Sequence, residues 1–166
     1  MNISAFNFIL SFAAALVLHE LGHFLAAYAC RVPVTQAGFG WGPKLFGFRV
    51  KEVDYQLRAL PIGAYIRMDM SALQKRSLFQ QLFVLLAGVA VNFILSGIAW
   101  GTFFGTLNLL LGVANLFPLY QQDGWKSGMV IWRSVFRRPS PLVEWSFTLC
   151  AGVVGLVVVA SSLFSC

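Results

Sequence analysis

The chain has 166 residues, of which 58% are hydrophobic and only 11% are charged, and its mean hydropathy is +0.76. The length indicates one domain, and the composition excludes an ordinary soluble protein in favour of one that lives in a membrane. The net charge of +6 does not indicate nucleic-acid binding, because all twelve Lys and Arg residues lie in two windows, 31–76 and 126–138. Basic windows between apolar segments mark loops that stay on the cytoplasmic side.

The first apolar segment, about residues 3–28, is predicted to be a retained membrane-spanning helix. It contains both histidines of the chain in the run His19-Glu20-Leu21-Gly22-His23. On a helix, His19 and His23 face the same way, so both rings can bind one metal ion, with Glu20 beside them as a candidate general base. A charged or strongly polar side chain in hydrocarbon costs roughly 2.5–3.5 kcal/mol, which favours a functional role for this run.

The first basic window is predicted to contain a β-hairpin. Apolar residues alternate with polar ones through Phe48, Val50, Val53, Tyr55 and Leu57, which indicates two strands that turn near residues 51–52. The preceding stretch 38–43 is rich in turn residues, and residues 61–63 (Pro-Ile-Gly) are expected to end the strands.

The uncharged stretch that follows predicts two further spans, at about residues 78–100 and 106–122, joined by a tight turn near residues 100–108. Residues 124–138 carry a narrow helical stripe of Trp125, Met129, Trp132 and Phe136 beside basic residues. This pattern predicts an amphipathic helix on the inner membrane surface, although an ordinary core helix is the alternative. A last span is predicted at about residues 141–164, and four spans with both basic windows inside place both termini outside.

A catalytic zinc ion takes three protein ligands, and no third histidine exists. The remaining acidic residues are Glu52, Asp54, Asp69, Asp123 and Glu144. Asp123 is favoured, because it follows the third span at a depth similar to that of the histidines, but the others stay open. Asn92 and Asn115 are candidate donors to the oxyanion of a peptide-bond hydrolysis, and hydrogen bonding between helices is the alternative for each.

These residues resemble the motifs of the site-2 protease family of intramembrane zinc metalloproteases. The family's HExxH motif matches His19 to His23, and its Gly-x-x-x-Asn element matches Gly88 and Asn92. Its Asn-x-x-Pro-x-Pro-x-Leu-Asp-Gly motif matches Asn115, Pro118, Asp123 and Gly124, with Tyr120 and Gln122 departing from it. The resemblance implies that Asp123 is the third ligand of a Zn²⁺ cofactor. It also implies that the hairpin is membrane-associated and lies near the active site.

The resemblance implies a four-span α-helical membrane protein whose residues 1–166 form one catalytic core without a PDZ domain. The expected activity is zinc-dependent hydrolysis of peptide bonds in membrane-spanning segments, in regulated intramembrane proteolysis or clearance of signal-peptide remnants. The expected partners are a membrane-protein substrate, the lipid bilayer of a bacterial inner membrane, and an adaptor or regulatory membrane protein. The substrate is expected to unwind and add as a strand to the hairpin 46–60. An inactive relative that serves as a scaffold and a small transporter are the alternatives.

Overall fold

The computed structural model describes residues 4–117 and 121–136, and eight further positions between residues 142 and 153. Helix α1 (Ala5–Ala29) is followed by strands β1 (Val34–Val50) and β2 (Val53–Met68). Helices α2 (Met70–Gln74), α3 (Leu78–Ile98), α4 (Phe103–Leu116) and α5 (Asp123–Phe136) complete the described part. The chain is therefore mainly helical, with one small sheet inserted after the first helix.

Two helices, α1 and α3, are long and apolar enough to cross a membrane. They coincide with the spans predicted at about residues 3–28 and 78–100. Helix α3 begins with a capping box, in which the side chains of Ser77 and Gln80 each bond the other's backbone N–H. Many of their large apolar side chains are exposed, as expected for helix surfaces that face lipid.

Small residues allow α1 and α3 to approach each other closely. A Cβ atom at Gly22 would lie 2.8 Å from the Val91 side chain and 2.9 Å from the carbonyl oxygen of Ala87. Glycines at such positions are common where membrane helices pack, because they bring the backbones together. This close contact fixes the helix that carries both histidines against α3.

The connection between α3 and α4 is shorter than predicted and lies earlier in the chain. It comprises residues 99–102, and Asn108, expected at the end of the turn, lies within α4. Thr102 starts α4, because its hydroxyl accepts a hydrogen bond from the backbone N–H of Gly105 at 3.1 Å.

Helix α4 is also shorter than the predicted span at residues 106–122. Its 14 residues rise about 21 Å, less than a bilayer core of about 30 Å. It ends at Phe117, whose backbone is extended with ψ 141°, as expected for a residue that precedes a proline. Two spans are therefore shown by length and composition among the described residues, rather than four.

The sheet consists of two long strands that pair with each other twice. The turn at Lys51, with φ 54°, joins Val50 to Val53 and confirms the predicted hairpin. Farther along, Gly38 of β1 lies opposite Tyr65 on one side and opposite Gln56 on the other. The segment 64–68 pairs only with the start of β1 among the described residues, so its other side is a free sheet edge.

Residues 61–63 do not end strand β2, but the direction of pairing changes between residues 57 and 64. Strand β2 spans Val53–Met68, and its residues 54–57 pair with residues 36–39 in the parallel sense, whereas its residues 64–67 pair with the same residues in the antiparallel sense. The irregularity is taken up by shifts in strand register around Trp41, and by Gly63, whose φ of 94° is accessible mainly to glycine. This continuation matters for the site, because the segment after Gly63 is the part of the sheet that reaches α1.

A buried apolar cluster joins the end of α1, the start of β1, α2 and the start of α3. Helix α5 occupies the position predicted for the amphipathic helix, and its Met129 and Ser127 are buried. The predicted last span at residues 141–164 lies outside the described residues except for eight separate positions.

Candidate metal centre

Three side chains from distant parts of the chain converge inside the helix bundle. His19 and His23 lie on one face of α1, and Asp123 is the first residue of α5. Asp123 Oδ2 lies 3.1 Å from His19 Nε2 and 3.0 Å from His23 Nε2, and the two Nε2 atoms are 3.2 Å apart. All three residues are buried. These three residues are called the triad below.

The spacing of the triad atoms fits one zinc ion. Zinc bonds of about 2.0–2.2 Å in a tetrahedral arrangement place neighbouring ligand atoms about 3.3 Å apart. The three observed separations lie within a few tenths of an ångström of that value. Two imidazoles and one carboxylate are also a donor set found at catalytic zinc, with one coordination position left for water or substrate.

A backbone carbonyl of α3 orients one of the two imidazole rings. His23 Nδ1 donates a hydrogen bond to the carbonyl oxygen of Val84 at 2.8 Å. The proton on Nδ1 leaves Nε2 without one, so its lone pair faces the centre of the triad. Metal-binding histidines are commonly held in this way, and the contact is an observation of this chain that favours a bound metal.

Gly88 makes room for the triad on the α3 side. A Cβ atom at this position would overlap His23 Nε2 and would lie 2.8 Å from His19 Nε2. The backbone of α3 therefore packs directly against the two ring atoms that face the metal position.

Glu20 lies beside the triad and is turned towards the sheet. Its Oε2 accepts a hydrogen bond from the backbone N–H of Ile66 at 3.0 Å. In an antiparallel pair, the N–H groups of alternate residues point away from the partner strand. Ile66 is opposite Ala37 of β1, but its N–H points away from β1 to the free edge of the sheet. There it donates its hydrogen bond to the Glu20 carboxylate.

A cavity of about 380 Å³ separates this free edge from the triad. Glu20, His23 and Asp123 line one part of the cavity, and the segment 65–68 of β2 lines another. A second, mainly apolar cavity of about 390 Å³ lies between α1 and the sheet and shares Glu20, Tyr65 and Ile66 with the first. The two cavities therefore meet at Glu20.

The structure brings Asp123 to the histidines and gives two of the other candidate carboxylates local roles. Asp54 accepts hydrogen bonds from Gln56 at 2.5 Å and from Lys44 at 3.5 Å, which lower the pKa of its carboxyl. The Asp69 carboxylate caps α2, and hydrogen bonds from Ser71 lower its pKa. Glu52 is exposed in the hairpin turn, and Glu144 lies outside the described residues.

The two predicted amide donors do not line the cavity at the triad. Asn92 is fully buried in α3, one turn after Gly88, and neither of its side-chain polar atoms has a partner among the described residues. Asn115 donates to the carbonyl oxygen of Leu111, one turn earlier in its own helix, at 3.0 Å. Their predicted role as donors to the oxyanion stays a prediction.

Two features of the site were not anticipated from the sequence. Lys126 lies one turn after Asp123 on α5 and lines the cavity, and its position three residues after a ligand is the only sequence signal for it. The free edge at residues 64–68 was missed because Pro61 and Gly63 suggested an end to the strand.

The sequence matches peptidase family M50 over residues 7–105. The chain is 39% identical over 98 residues to a Clostridium acetobutylicum protein classed with the zinc metalloproteases, an alignment that covers 54% of this chain and 29% of that protein. It is 40% identical over 65 residues to the zinc metalloprotease RasP of Geobacillus kaustophilus, covering 39% of this chain and 15% of that protein. It is 39% identical over 61 residues to the regulator of sigma-W protease RasP of Bacillus subtilis, covering 37% of this chain and 14% of that protein.

These alignments cover less than a third of each relative's length. The family match covers more than half of this chain and includes the HExxH run, but it ends before Asp123. The third side chain of the triad, Asp123, is therefore identified from the three-dimensional arrangement. The three donor groups suit zinc, the metal given in the names of these relatives. Because the family match covers more than half of its length, this chain belongs to peptidase family M50, the site-2 protease family of membrane-embedded zinc metalloproteases.

Proposed function

We propose that this chain is a zinc-dependent intramembrane endopeptidase that hydrolyses peptide bonds in the membrane-spanning segments of other proteins. His19, His23 and Asp123 hold Zn²⁺, and Glu20 is the general base and acid. The single observation that carries the proposal is the convergence of three buried donor atoms within 3.2 Å of one another, beside a glutamate and a cavity. In this proposal, residues 1–166 form one catalytic core.

When bound, Zn²⁺ supplies a Lewis acid that polarises the peptide carbonyl and makes water more acidic. Glu20 takes a proton from the attacking water and later delivers it to the leaving amine. Its position, next to His19 in α1 and at the junction of the two cavities, suits both proton transfers. Burial of the triad keeps bulk water away and strengthens each electrostatic contact.

The free edge at residues 64–68 is the proposed binding site for an unwound stretch of substrate. A helical substrate cannot be hydrolysed while its carbonyl groups are bonded within the helix, and an exposed strand edge offers replacement bonds. The segment 65–68 lines the cavity at the triad, whereas the predicted platform at residues 46–60 contributes mainly to the neighbouring apolar cavity. A substrate strand that takes the N–H of Ile66 also frees the Glu20 carboxylate for proton transfer.

The proposed location is a bacterial inner membrane, with both termini outside and the basic windows on the cytoplasmic side. The placement of Lys and Arg residues outside the uncharged segments supports this orientation. An adaptor or regulatory membrane protein is the proposed source of substrate selection, together with the sheet edge.

The test compares Glu20→Gln with wild-type protein in lipid bilayers, using a membrane-spanning peptide as substrate. Cleavage is expected to fall by at least about a hundredfold while one zinc ion stays bound per chain, since the amide cannot accept the proton. Glu52→Gln makes the same change in the exposed hairpin turn and is expected to cleave at the wild-type rate. Equal cleavage by Glu20→Gln and wild type would exclude Glu20 from the reaction.

The alternative, an inactive relative that serves as a scaffold, retains the fold and the metal without cleavage. The retained glutamate beside a complete triad argues against it. Zinc binding by wild-type protein without cleavage of any membrane-spanning peptide would favour the scaffold.

A further inference from the structure

The two carboxylate oxygens of Asp123 face different partners. Oδ2 lies against both imidazoles, at 3.1 Å from His19 and 3.0 Å from His23. Oδ1 lies 3.5 Å from the ammonium nitrogen of Lys126, one helical turn later on α5. A cation therefore lies at the edge of the triad, beside the carboxylate oxygen that does not contact the ring nitrogens.

The contact between the Lys126 ammonium and the Asp123 carboxylate is long and therefore weak. Hydrogen bonds between an ammonium and a carboxylate are usually about 2.7–2.9 Å long, well below the 3.5 Å observed here. An ammonium carries three donors on a flexible four-carbon stem, so one contact leaves two donors for other acceptors. The side chain is 36% exposed, although its partner is 8% exposed. Its charge is thus presented to the open space rather than enclosed behind the carboxylate.

That open space is the cavity at the triad. Lys126 lines it together with Glu20, His23 and Asp123, and it also lines the adjoining cavity of about 630 Å³. Arg67 is the other cationic residue in the lining of the triad cavity, and its guanidinium lies over the Tyr65 ring at 5.9 Å. Of the two cations, only Lys126 has a contact with a triad residue among the described residues.

Hydrolysis of a peptide bond is accelerated by a donor near the carbonyl oxygen on which negative charge develops. As the water oxygen bonds to the carbonyl carbon, the π electron pair moves onto the carbonyl oxygen, and Glu20 receives the proton of the water. The carbon–nitrogen bond then breaks, the amine nitrogen takes that proton, and a carboxylic acid and an amine are formed. Negative charge on the carbonyl oxygen is greatest between these steps, and fixed donors there contribute several kcal/mol in other hydrolases.

The geometry points to Lys126 as a catalytic residue whose ammonium donates to this oxyanion. The inference rests on the proposed endopeptidase function. It gives the role expected of Asn92 and Asn115 to a residue that lines the cavity, where neither amide does.

The experiment compares Lys126→Met and Lys126→Arg with wild-type protein, with Lys75→Met as the same change at an exposed position after α2. Three quantities are measured: zinc per chain, kcat and KM on a membrane-spanning peptide, and the affinity for a phosphinic peptide whose tetrahedral anion resembles the oxyanion. An amide peptide of the same sequence is the ground-state comparison.

In Lys126→Met, kcat is expected to fall about 10²- to 10³-fold, with KM within about twofold and zinc unchanged. The affinity for the phosphinic peptide is expected to fall by at least tenfold, and that for the amide peptide to stay the same. Lys126→Arg should retain a substantial part of kcat, because it keeps the charge, and Lys75→Met should match wild type.

Loss of zinc from Lys126→Met would overturn the inference, since it would make Lys126 a positioning residue for Asp123. An unchanged kcat, or a fall in kcat caused by Arg67→Gln instead, would also overturn it. These results differ from failure of the proposed function, which would be a wild-type protein that cleaves no membrane-spanning peptide.

Discussion

The backbone of Gly88 packs directly against the ring of His23, and a Cβ atom on residue 88 would overlap His23 Nε2. Gly88→Ala is therefore expected to push the ring out of the triad and to weaken zinc binding by about tenfold or more. The measurement is zinc affinity by competition with a chelating dye. Gly97→Ala is the matched control, because, apart from the backbone of its own helix, none of the described residues lies within 4 Å of a Cβ at that position. Equal zinc affinity in the two variants would contradict the packing argument.

Asp123→Ala removes one of three proposed ligands and is expected to leave less than one zinc ion per chain and no cleavage. Metal analysis of the purified protein checks the first result, and a bilayer cleavage assay checks the second. Asp54→Ala removes a partly exposed carboxylate whose hydrogen bonds among the described residues are all within the hairpin, so its zinc content should equal that of wild type. Normal zinc content in Asp123→Ala together with reduced zinc content in Asp54→Ala would instead assign the third ligand to the hairpin.

Gly22→Val is expected to separate α1 from α3, because the added atoms would meet Val91 and the backbone of Ala87. Overpacking of this kind costs about 1–3 kcal/mol of unfolding free energy. Unfolding in mild detergent, followed by circular dichroism, measures the loss. Gly97→Val introduces the same side chain on α3 where no neighbouring element of the described part of the chain lies within 4 Å, and it should unfold within about 0.5 kcal/mol of wild type.

Ile66→Pro tests the sheet edge, because proline removes the one N–H that points to Glu20 and is tolerated on an edge strand. If a substrate strand uses this donor, kcat/KM should fall about tenfold, the value of one lost hydrogen bond of about 1.4 kcal/mol, with zinc unchanged. Ile66→Val keeps the N–H and should cleave normally. Wild-type kcat/KM in the proline variant would place the substrate elsewhere.

Asp69 predicts a local pH dependence at the start of α2. Hydrogen bonds from Ser71, and one from the backbone of Ala72, lower the pKa of its carboxyl in the folded chain. A lowered folded pKa stabilises the cap above the unfolded value of about 3.9, and this stabilisation is lost as pH falls through the folded pKa. Amide hydrogen-exchange protection of Ala72 should therefore decline below about pH 4. In Asp69→Asn, which does not titrate, the protection should not depend on pH in this range.

Local patterns were sufficient to predict much of the site. The spacing of His19 and His23 places both rings on one face of any helix, and the apolar context made a helix the expected structure. The hairpin turn at residues 51–52 also follows from local rules, whereas the span predicted to residue 122 ran past Pro118, before which α4 ends.

The remaining features depend on contacts between distant residues. Strand β2 reverses direction between residues 57 and 64 and then pairs with residues 34–39 again, and such a register depends on the partner strand. The position of Lys126 in the cavity requires α5 to begin at Asp123 against α1. The strand register has no signature within one segment of sequence, and the i, i+3 spacing of Asp123 and Lys126 places the lysine beside the ligand without showing that it lines a cavity.

His19 and Asp123 are 104 residues apart in the chain, yet their side chains meet. A ribosome that adds 5–20 residues per second needs roughly 5–20 s to synthesise the intervening polypeptide. Throughout that interval, the nascent protein exposes two histidines that have no carboxylate to complete the coordination. If the triad holds the ion as proposed, loading of the ion is a late step of biogenesis, after translation has passed the start of the fifth helix, and a partly translated chain has no assembled centre for the proposed cleavage.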